Sequence, residues 1–230
     1  MRKYTTAAVI LAAGSGNRMK AETTKQCMSL LGESVLKRAV SAFDLCDDIS
    51  SIVVVIREDE RQFVMRELSE IKKLVCVVVG GKTRAESARI GFLAIPEKTD
   101  FVAIHDAARC LITPEMITDV LSDAIKYGAA TAATPAVDTV KIIDNEGFVE
   151  YTPKRALVMM ASTPQIFSVE IYKKALSCAE KIDDTVTDDN MLVEMAGYKV
   201  FCTDVGKENI KITVPGDIQY AEHILKGREK

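Results

Sequence analysis

A glycine-containing loop close to the N-terminus carries the residue types that bind phosphate. Gly14 and Gly16 follow small and apolar residues over 7–13, and Arg18 and Lys25 come soon after them. Glycines let backbone N–H groups approach an anion without a Cβ in the way, and the two cations lie where a polyphosphate would bind. We therefore predict a phosphate site here, with a plain tight turn and solvated charges as the alternative interpretation.

This loop differs from two familiar phosphate-binding motifs. The sequence lacks the Gly-x-x-x-x-Gly-Lys-Ser/Thr pattern of P-loop proteins, and Met19 occupies the place of the third glycine in a dinucleotide-binding loop. Neither an ATPase nor a dehydrogenase is therefore favoured.

Two more pairs of candidate residues follow apolar runs further along the chain. Gly80 and Gly81 end one run, and Asp106 and Arg109 follow another. Open α/β sheets bind ligands beyond the carboxyl ends of their parallel strands, so we expect the glycine pair to face the same crevice as the first loop. Asp106 and Arg109 either contact the ligand there or pair with each other.

Lys211 is a third cation of interest. It interrupts the apolar segment 209–213, which we predict to be a strand. A buried ammonium group is unfavourable unless it meets an anion or reaches solvent, so Lys211 is expected to serve a ligand.

The elements that position these residues alternate between strand and helix. Apolar runs predict strands at 51–56, 74–79, 101–105 and 129–134, and helical spacing or caps predict helices from 35, 59, 114, 168 and 215. This alternation is typical of a doubly wound, mostly parallel α/β sheet. Residues from about 136 to 160 form a hairpin that interrupts it, and we interpret this segment as a projecting β-arm against which a second subunit packs.

Composition limits the possible functions. The chain has 230 residues, of which 48% are hydrophobic and 27% charged, with a net charge of −3. One domain over 1–230 is expected, and neither nucleic acid nor a membrane is indicated as a partner. The six cysteines form no Cys-x-x-Cys pair and there are only two histidines, so we expect reduced thiols, no zinc site and a cytoplasmic protein.

Taken together, the motifs resemble one family of nucleotidyltransferases over nearly the whole chain. They are Ala-Ala-Gly-x-Gly-x-Arg-Met at 12–19, Lys25-Gln26, Gly80-Gly81-x-x-Arg84-x-x-Ser87, His105-Asp106-Ala107-Ala108-Arg109, Asp138-Thr139, Thr163-Pro164-Gln165, Thr187-Asp188 and Asn209-Ile210-Lys211. The family is 2-C-methyl-D-erythritol 4-phosphate cytidylyltransferase. The resemblance implies a Rossmann-like nucleotidyltransferase fold, a homodimer completed by the β-arm, and transfer of CMP from CTP to the alditol phosphate with Mg²⁺ bound mainly through the nucleotide phosphates.

The same resemblance implies roles for individual residues. Catalysis would rest on Arg18, Lys25 and Lys211. The CTP site would comprise Ala12, Ala13, Gly14, Ser15, Gly16, Gly81, Lys82 and Ser87. Asp106, Arg109, Thr163 and Thr187 would contact the alditol, while Thr139 and Arg155 would come from the partner subunit and bind the substrate phosphate.

Several residues also have a structural interpretation. Ser87 could satisfy backbone donors in the first turn of its helix, Thr139 could be a strand former, and Arg155 an exposed charge. His105 should point away from Asp106 and is expected to be a core residue. The acidic residues over 183–189 are interpreted as helix caps and not as a metal cluster.

Departures from the family pattern leave the substrate open. Thr24 and Cys110 stand where proline is usual, and Met159 and Ser162 where tryptophan and glutamine are common. A cytidylyltransferase for another polyol phosphate, such as ribitol 5-phosphate, is the nearest alternative. A non-catalytic nucleotide-binding module and a glycosyltransferase are the others, although the cations argue against the first and the missing Asp-x-Asp motif against the second.

Overall fold

The computed structural model describes residues 4–14, 25–178 and 186–228. Its strands, in chain order, are β1 (Thr6–Leu11), β2 (Ser29–Leu30), β3 (Glu33–Ser34), β4 (Ser51–Ile56), β5 (Leu74–Val79), β6 (Phe101–Asp106), β7 (Ala129–Pro135), β8 (Ile142–Ile143), β9 (Val149–Tyr151), β10 (Met159–Ser168) and β11 (Phe201–Asp204). Its α-helices are α1 (Val35–Leu45), α2 (Arg61–Glu67), α3 (Arg84–Leu93), α4 (Pro114–Tyr127), α5 (Val169–Cys178), α6 (Asp189–Met195) and α7 (Pro215–Arg228).

Seven of these strands form one twisted sheet in the order β11-β7-β10-β6-β1-β4-β5. The pairs β1–β4, β1–β6, β4–β5 and β7–β11 are parallel. The strands predicted at 51–56, 74–79, 101–105 and 129–134 are confirmed, and the sheet is mostly parallel as expected. The inner parallel strands β1, β4 and β6 are buried along nearly their whole length, and for this reason their sequences are largely apolar and do not alternate.

The sheet separates two apolar cores, which makes the fold doubly wound and Rossmann-like. Ala8 and Ile10 of β1 face one core with α1, α2 and α4. Val9, the residue between them, faces the other core with α3, α5 and α6. Helix α7 packs on a third, smaller cluster that includes Leu111 and Ile212.

The helix starts follow the capping residues in the sequence. Ser34 accepts a hydrogen bond from the backbone of Lys37 at the start of α1, and Thr113 does the same for Met116 in α4, whose first residue is Pro114. None of the helices in the described segments is long and apolar enough to cross a membrane.

Three parts of the chain differ from the prediction. β10 lies inside the sheet and runs antiparallel to both β6 and β7. Residues 209–213 are not a strand, because this segment makes a single backbone contact to the sheet edge, from the N–H of Ile212 to the carbonyl of Ala108 at 2.8 Å. The helix expected from residue 59 to about 71 is also shorter, since α2 ends at Glu67 after a 3-10 turn at Glu58–Glu60.

The segment between β7 and β10 forms a separate two-stranded sheet of β8 and β9. Met159 at the start of β10 lies opposite Pro135 at the end of β7, and the N–H of Ala136 donates to the carbonyl of Val158 at 3.0 Å. The excursion therefore leaves and re-enters the main sheet at one place. All five residues of β8 and β9 are exposed.

Candidate functional site

The first loop and the glycine pair meet at the carboxyl edge of the sheet. The N–H of Ala12 donates to the carbonyl of Val55 at 2.7 Å, and the N–H of Gly80 to that of Ile56 at 2.8 Å. A Cβ added to Gly80 would lie 2.6 Å from the Cβ of Ala13, so only glycine allows this approach. The two segments therefore line one crevice, as the sequence predicts.

Gln26 joins the chain after the first loop to this crevice. Its side-chain amide donates to the carbonyl of Ala12 at 2.5 Å and to the buried carboxylate of Glu60 at 3.1 Å. Lys25, which precedes it, begins a 3-10 turn and is described by its backbone only. The predicted site residues Ser15, Gly16 and Arg18 lie outside the described residues.

Ser87 has the structural role given above as its alternative, which is to satisfy backbone donors at the start of its helix. Its hydroxyl accepts from the N–H of Gly81 at 3.1 Å and donates to the carbonyl of Thr83 at 2.9 Å. The N–H of Lys82 donates to Glu86 at 2.7 Å. These bonds fix the backbone of the glycine pair at the start of α3, next to Ala13.

Asp106, the last residue of β6, holds two cations. Its Oδ2 lies 2.6 Å from Nζ of Lys211 and its Oδ1 lies 3.1 Å from Nε of Arg84. Burial by itself would raise the pKa of the carboxyl group, but Arg84 and Lys211 outweigh it, and the pKa of Asp106 lies well below its ordinary value. Asp106 is therefore an anion whose two oxygens are both in use.

Lys211 reaches Asp106 from the far end of the chain even though its segment is not a strand. The bond from Ile212 to Ala108 sets the segment along the end of β6, and the Lys211 side chain as a whole remains partly exposed. This ammonium group thus meets a carboxylate of the protein itself. Its role toward a ligand stays a prediction, and the predicted strand around it is wrong.

Arg109 does not form the simple pair with Asp106 considered above. Its Nη1 donates to the backbone carbonyl of Asn209 at 2.9 Å, and its buried Nε has no hydrogen-bond partner among the described residues. Burial lowers the pKa of this guanidinium below its ordinary value, and the opposing charge of Asp106 does not outweigh it. Arg109 therefore has one buried N–H group that no described residue accepts.

Thr163 and His105 form a hydrogen-bonded chain behind Asp106. The N–H of Asp106 donates to Oγ1 of Thr163 at 3.0 Å, and this hydroxyl lies 3.1 Å from Nδ1 of His105. Nε2 of His105 lies 3.2 Å from the carbonyl of Arg109, which can only accept. The hydrogen-bond pattern therefore assigns a neutral imidazole with its proton on Nε2, and the Thr163 hydroxyl donates to Nδ1.

His105 is fully buried, and its ring packs against Phe43 with a centroid separation of 4.9 Å. Burial lowers the pKa of His105 to about 3. The prediction of a core histidine is confirmed.

Arg84 was part of a sequence motif, but sequence analysis gave it no role. Besides Asp106, it contacts the fully buried carboxylate of Asp189, with Nη1 2.6 Å from Oδ2. Burial alone would lower the pKa of Arg84, but Asp189 and Asp106 outweigh it and raise the pKa above its ordinary value. The only signal in the sequence was the place of Arg84 in the motif that starts with the glycine pair.

The acidic residues at the start of α6 have different structural roles. Asp188 is the helix cap that was expected and accepts from the N–H of Met191 at 3.0 Å, whereas Asp189 is buried in an ion pair. Asp183 and Asp184 lie outside the described residues. Within the described part of the chain, no group of three or more His, Cys, Asp or Glu side chains could hold a metal ion.

The remaining predicted residues are exposed. Thr187 precedes the cap of α6, and Thr139 and Arg155 lie at the two sides of the excursion between β7 and β10. Nη1 of Arg155 donates to the carbonyl of Val137 at 3.1 Å, which brings Arg155 close to the chain that carries Thr139. The latter two side chains therefore belong to the exposed excursion and not to the buried network around Asp106.

Comparison with known proteins agrees with this arrangement. The family model described as IspD, 2-C-methyl-D-erythritol 4-phosphate cytidylyltransferase, matches residues 6–227. Proteins of that description from Synechococcus sp. (strain CC9902) and Pelotomaculum thermopropionicum are 39% and 38% identical to the chain. The alignments cover 96% and 97% of this chain and 97% and 95% of those proteins.

Solved structures give the same result. The crystal structure of 4-diphosphocytidyl-2C-methyl-D-erythritol synthase from Anaerococcus prevotii superposes with a TM-score of 0.86 at 30% identity, covering 98% of this chain and all of that one. The 2-C-methyl-D-erythritol 4-phosphate cytidylyltransferase from Francisella tularensis gives a TM-score of 0.79 at 28% identity, covering 95% and 99%.

Proposed function

The chain belongs to the 2-C-methyl-D-erythritol 4-phosphate cytidylyltransferase family, and from this premise we propose how its residues carry out the reaction. The enzyme is a nucleotidyltransferase of isoprenoid biosynthesis that joins CTP and 2-C-methyl-D-erythritol 4-phosphate. An oxygen of the alditol phosphate attacks the α-phosphorus of CTP, the bond from that phosphorus to the bridging oxygen of the β-phosphate breaks, and pyrophosphate leaves.

Charge is the main obstacle to this step, because one anion attacks another. The attacking phosphate is already ionised at neutral pH and needs no general base, so positioning and electrostatic stabilisation must supply the rate. The observation that carries our assignment is the cluster of Lys211, Asp106 and Arg84 at the carboxyl end of β6, beside the crevice of the first loop.

Lys211 is the residue that we assign to the reacting phosphates. In the free protein its ammonium group is held by Asp106 at 2.6 Å, and its side chain is 38% exposed. An incoming phosphate competes with Asp106 for this ammonium group, which then bridges the alditol phosphate and the α-phosphate. Arg18 and Lys25 are proposed to bind the triphosphate from the first loop, so that three cations stabilise the charge of the transition state.

The cytosine is proposed to lie where the two loops meet. Ala12, Ala13 and Gly14 supply one wall, and Gly81 and Lys82 the other. The close approach of Gly80 to Ala13 supports this placement, because it brings backbone groups of both loops within reach of one planar base. Ser15 and Gly16 are assigned to the triphosphate, and Ser87 supports Gly81 through its hydroxyl.

The alditol is proposed to bind between Asp106, Arg109 and the segment that carries Thr187. Arg109 has an unused buried donor, which supports this assignment. Thr163 already donates its proton to His105 and accepts from Asp106, so its contribution is the remaining lone pair of its hydroxyl.

Magnesium is proposed to bind mainly through the nucleotide phosphates. In the free protein both oxygens of Asp106 are occupied by cations, and one of these cations, Arg84, is proposed to stay in place when Lys211 moves, so we assign the metal to the phosphates. Bound Mg²⁺ would neutralise phosphate charge and orient the pyrophosphate leaving group.

We also propose a homodimer that works in the cytoplasm. The excursion between β7 and β10 exposes Phe148, Leu157 and other apolar side chains, which supports its use as a dimerisation arm that brings Thr139 and Arg155 to the partner's substrate phosphate. All six cysteines lie in the described part of the chain and none of them forms a disulfide, which suits a reducing compartment.

Steady-state kinetics with CTP, Mg²⁺ and several polyol phosphates tests these assignments. We expect pyrophosphate release with 2-C-methyl-D-erythritol 4-phosphate and a much lower kcat/KM with ribitol 5-phosphate. Asp106→Asn should raise the KM for the alditol phosphate more than that for CTP. Equal changes in both values would contradict the proposed alditol site.

A further inference from the structure

Arg84 connects two parts of the molecule that the proposed function places on either side of the alditol. Its Nε donates to Oδ1 of Asp106 at the end of β6, and its Nη1 to Oδ2 of Asp189 at the start of α6. Thr187 lies two residues before Asp189. One guanidinium group therefore spans the distance between both walls of the proposed pocket.

Asp189 is a fixed anchor for this contact. It is fully buried, and the hydroxyl of Tyr172 donates to its Oδ1 at 2.6 Å. Its backbone N–H donates to Oε1 of Gln165 at 2.9 Å, and Nε2 of Gln165 donates to Asp188 at 2.9 Å. Both carboxylate oxygens of Asp189 are thus engaged inside the protein, and this residue acts on a ligand only through Arg84.

The position of Arg84 matters when Lys211 changes partners. While no phosphate is present, Arg84 and Lys211 share the carboxylate of Asp106. Once Lys211 turns to phosphate, Asp106 would be a nearly buried anion without a partner unless another cation stays in place, which is unfavourable. Arg84 is that cation, since Asp189 holds its other end.

We propose that Arg84 is a positioning residue for the alditol pocket, anchored by Asp189, which keeps Asp106 ionised and oriented when Lys211 moves to the reacting phosphates. This inference rests on the proposed alditol site. A bidentate guanidinium is needed because lysine presents one ammonium group and cannot bridge both carboxylates in the same geometry.

The test compares Arg84→Lys with Arg89→Lys, a matched change at an exposed arginine of the same helix. Arg84→Lys should raise the KM for 2-C-methyl-D-erythritol 4-phosphate by about tenfold, the loss of roughly one hydrogen bond to a charged group. The KM for CTP should change by less than about twofold, and Arg89→Lys should change neither value. An equal rise in both KM values, or a lower thermal midpoint with unchanged kinetics, would show a structural role only and overturn the proposal.

Asp189→Asn provides a second variant if Arg84→Lys does not fold. It retains an acceptor for Tyr172 and removes the charge that holds Arg84, so it should raise the same KM selectively. An unchanged KM would overturn the proposal. Asp106→Asn, measured in parallel, distinguishes a wrong role for Arg84 from a wrong alditol site. If Asp106→Asn raises the KM for the alditol phosphate and the other variants do not, the role of Arg84 is wrong. If Asp106→Asn leaves this KM unchanged, the alditol site itself is wrong.

Discussion

The crevice at the end of β6 and the excursion between β7 and β10 differ in which side chains they bury and which they expose. In the crevice, charged groups are buried and paired: Asp106 is 8% exposed and Asp189 0%. In the excursion, apolar groups face solvent, with Phe148 69% and Leu157 80% exposed. The first region is completed by contacts within one chain, whereas the second has an apolar surface that a single chain leaves uncovered. The comparison separates a region whose charged groups pair within one chain from a region whose apolar surface fits the dimerisation arm that we propose.

Replacing Lys211 should have the largest effect. Lys211→Ala removes the cation assigned to the reacting phosphates, and we expect kcat to fall by about 10²–10⁴-fold with little change in the thermal midpoint. Lys207→Ala, at an exposed lysine of the same segment, is the control. Near-normal turnover by Lys211→Ala would show that the crevice does not supply the essential charge.

Arg155→Ala should act through the other region. Loss of one charge-assisted contact to the substrate phosphate predicts about a tenfold rise in the KM for the alditol phosphate, whereas the neighbouring Lys154→Ala should have no such effect. If sites are shared, mixing Arg155→Ala with Lys25→Ala subunits should restore part of the activity, because some sites then combine two intact halves. Verified mixed dimers without any recovery would place both residues in one chain's site.

Phe148→Glu puts a charge on the exposed apolar face of the excursion. We expect at least about a tenfold weaker dimer by analytical ultracentrifugation, with the subunit still folded, because the change removes apolar contact area and buries a carboxylate at the interface. Leu45→Glu, at an exposed apolar position of α1, is the control. Unchanged association would mean that the partner packs elsewhere.

His105 gives the smallest effect and probes the interior of the crevice. Its pKa is about 3 in the folded protein, against an ordinary value of about 6.5, so the unfolded chain binds more protons between these values and stability falls as the pH decreases through this window. Between pH 7 and pH 5.5, the free energy of unfolding should therefore decrease by about 1 kcal/mol less in His105→Gln than in the parent protein. Urea denaturation at both pH values measures this, and identical pH slopes would mean that His105 is not held neutral.

Local sequence signals predicted the parts of the fold that depend on neighbouring residues. Runs of β-branched residues at 51–56 and 74–79 gave strands with the bounds that the structure shows, and Ser34 and Thr113 gave helix starts. Each feature has its cause within a few residues of the chain. The crevice was predictable for the same reason, because loops after parallel strands must meet at one sheet edge.

The features that were missed depend on contacts between distant segments. Nothing near residues 159–168 shows that β10 inserts antiparallel between β6 and β7, and the segment around Lys211 has a strand-like pattern but no strand neighbour. Asp189 has the local sequence of a helix cap, while its role comes from Arg84, 105 residues away. Pairing of this kind is set by tertiary packing, which a single sequence does not display.

Because Pro135 and Met159 are paired in the main sheet, the excursion between them is an insertion that begins and ends at one place. Its two ends are hydrogen-bonded neighbours, so its length can vary without shifting the register of β7 against β10. Because β10 is antiparallel to both β6 and β7, these two strands run parallel to each other. The excursion therefore starts at the same edge of the sheet at which Asp106 lies. Insertions and deletions in the excursion would therefore change the proposed dimerisation arm and leave the main sheet as it is.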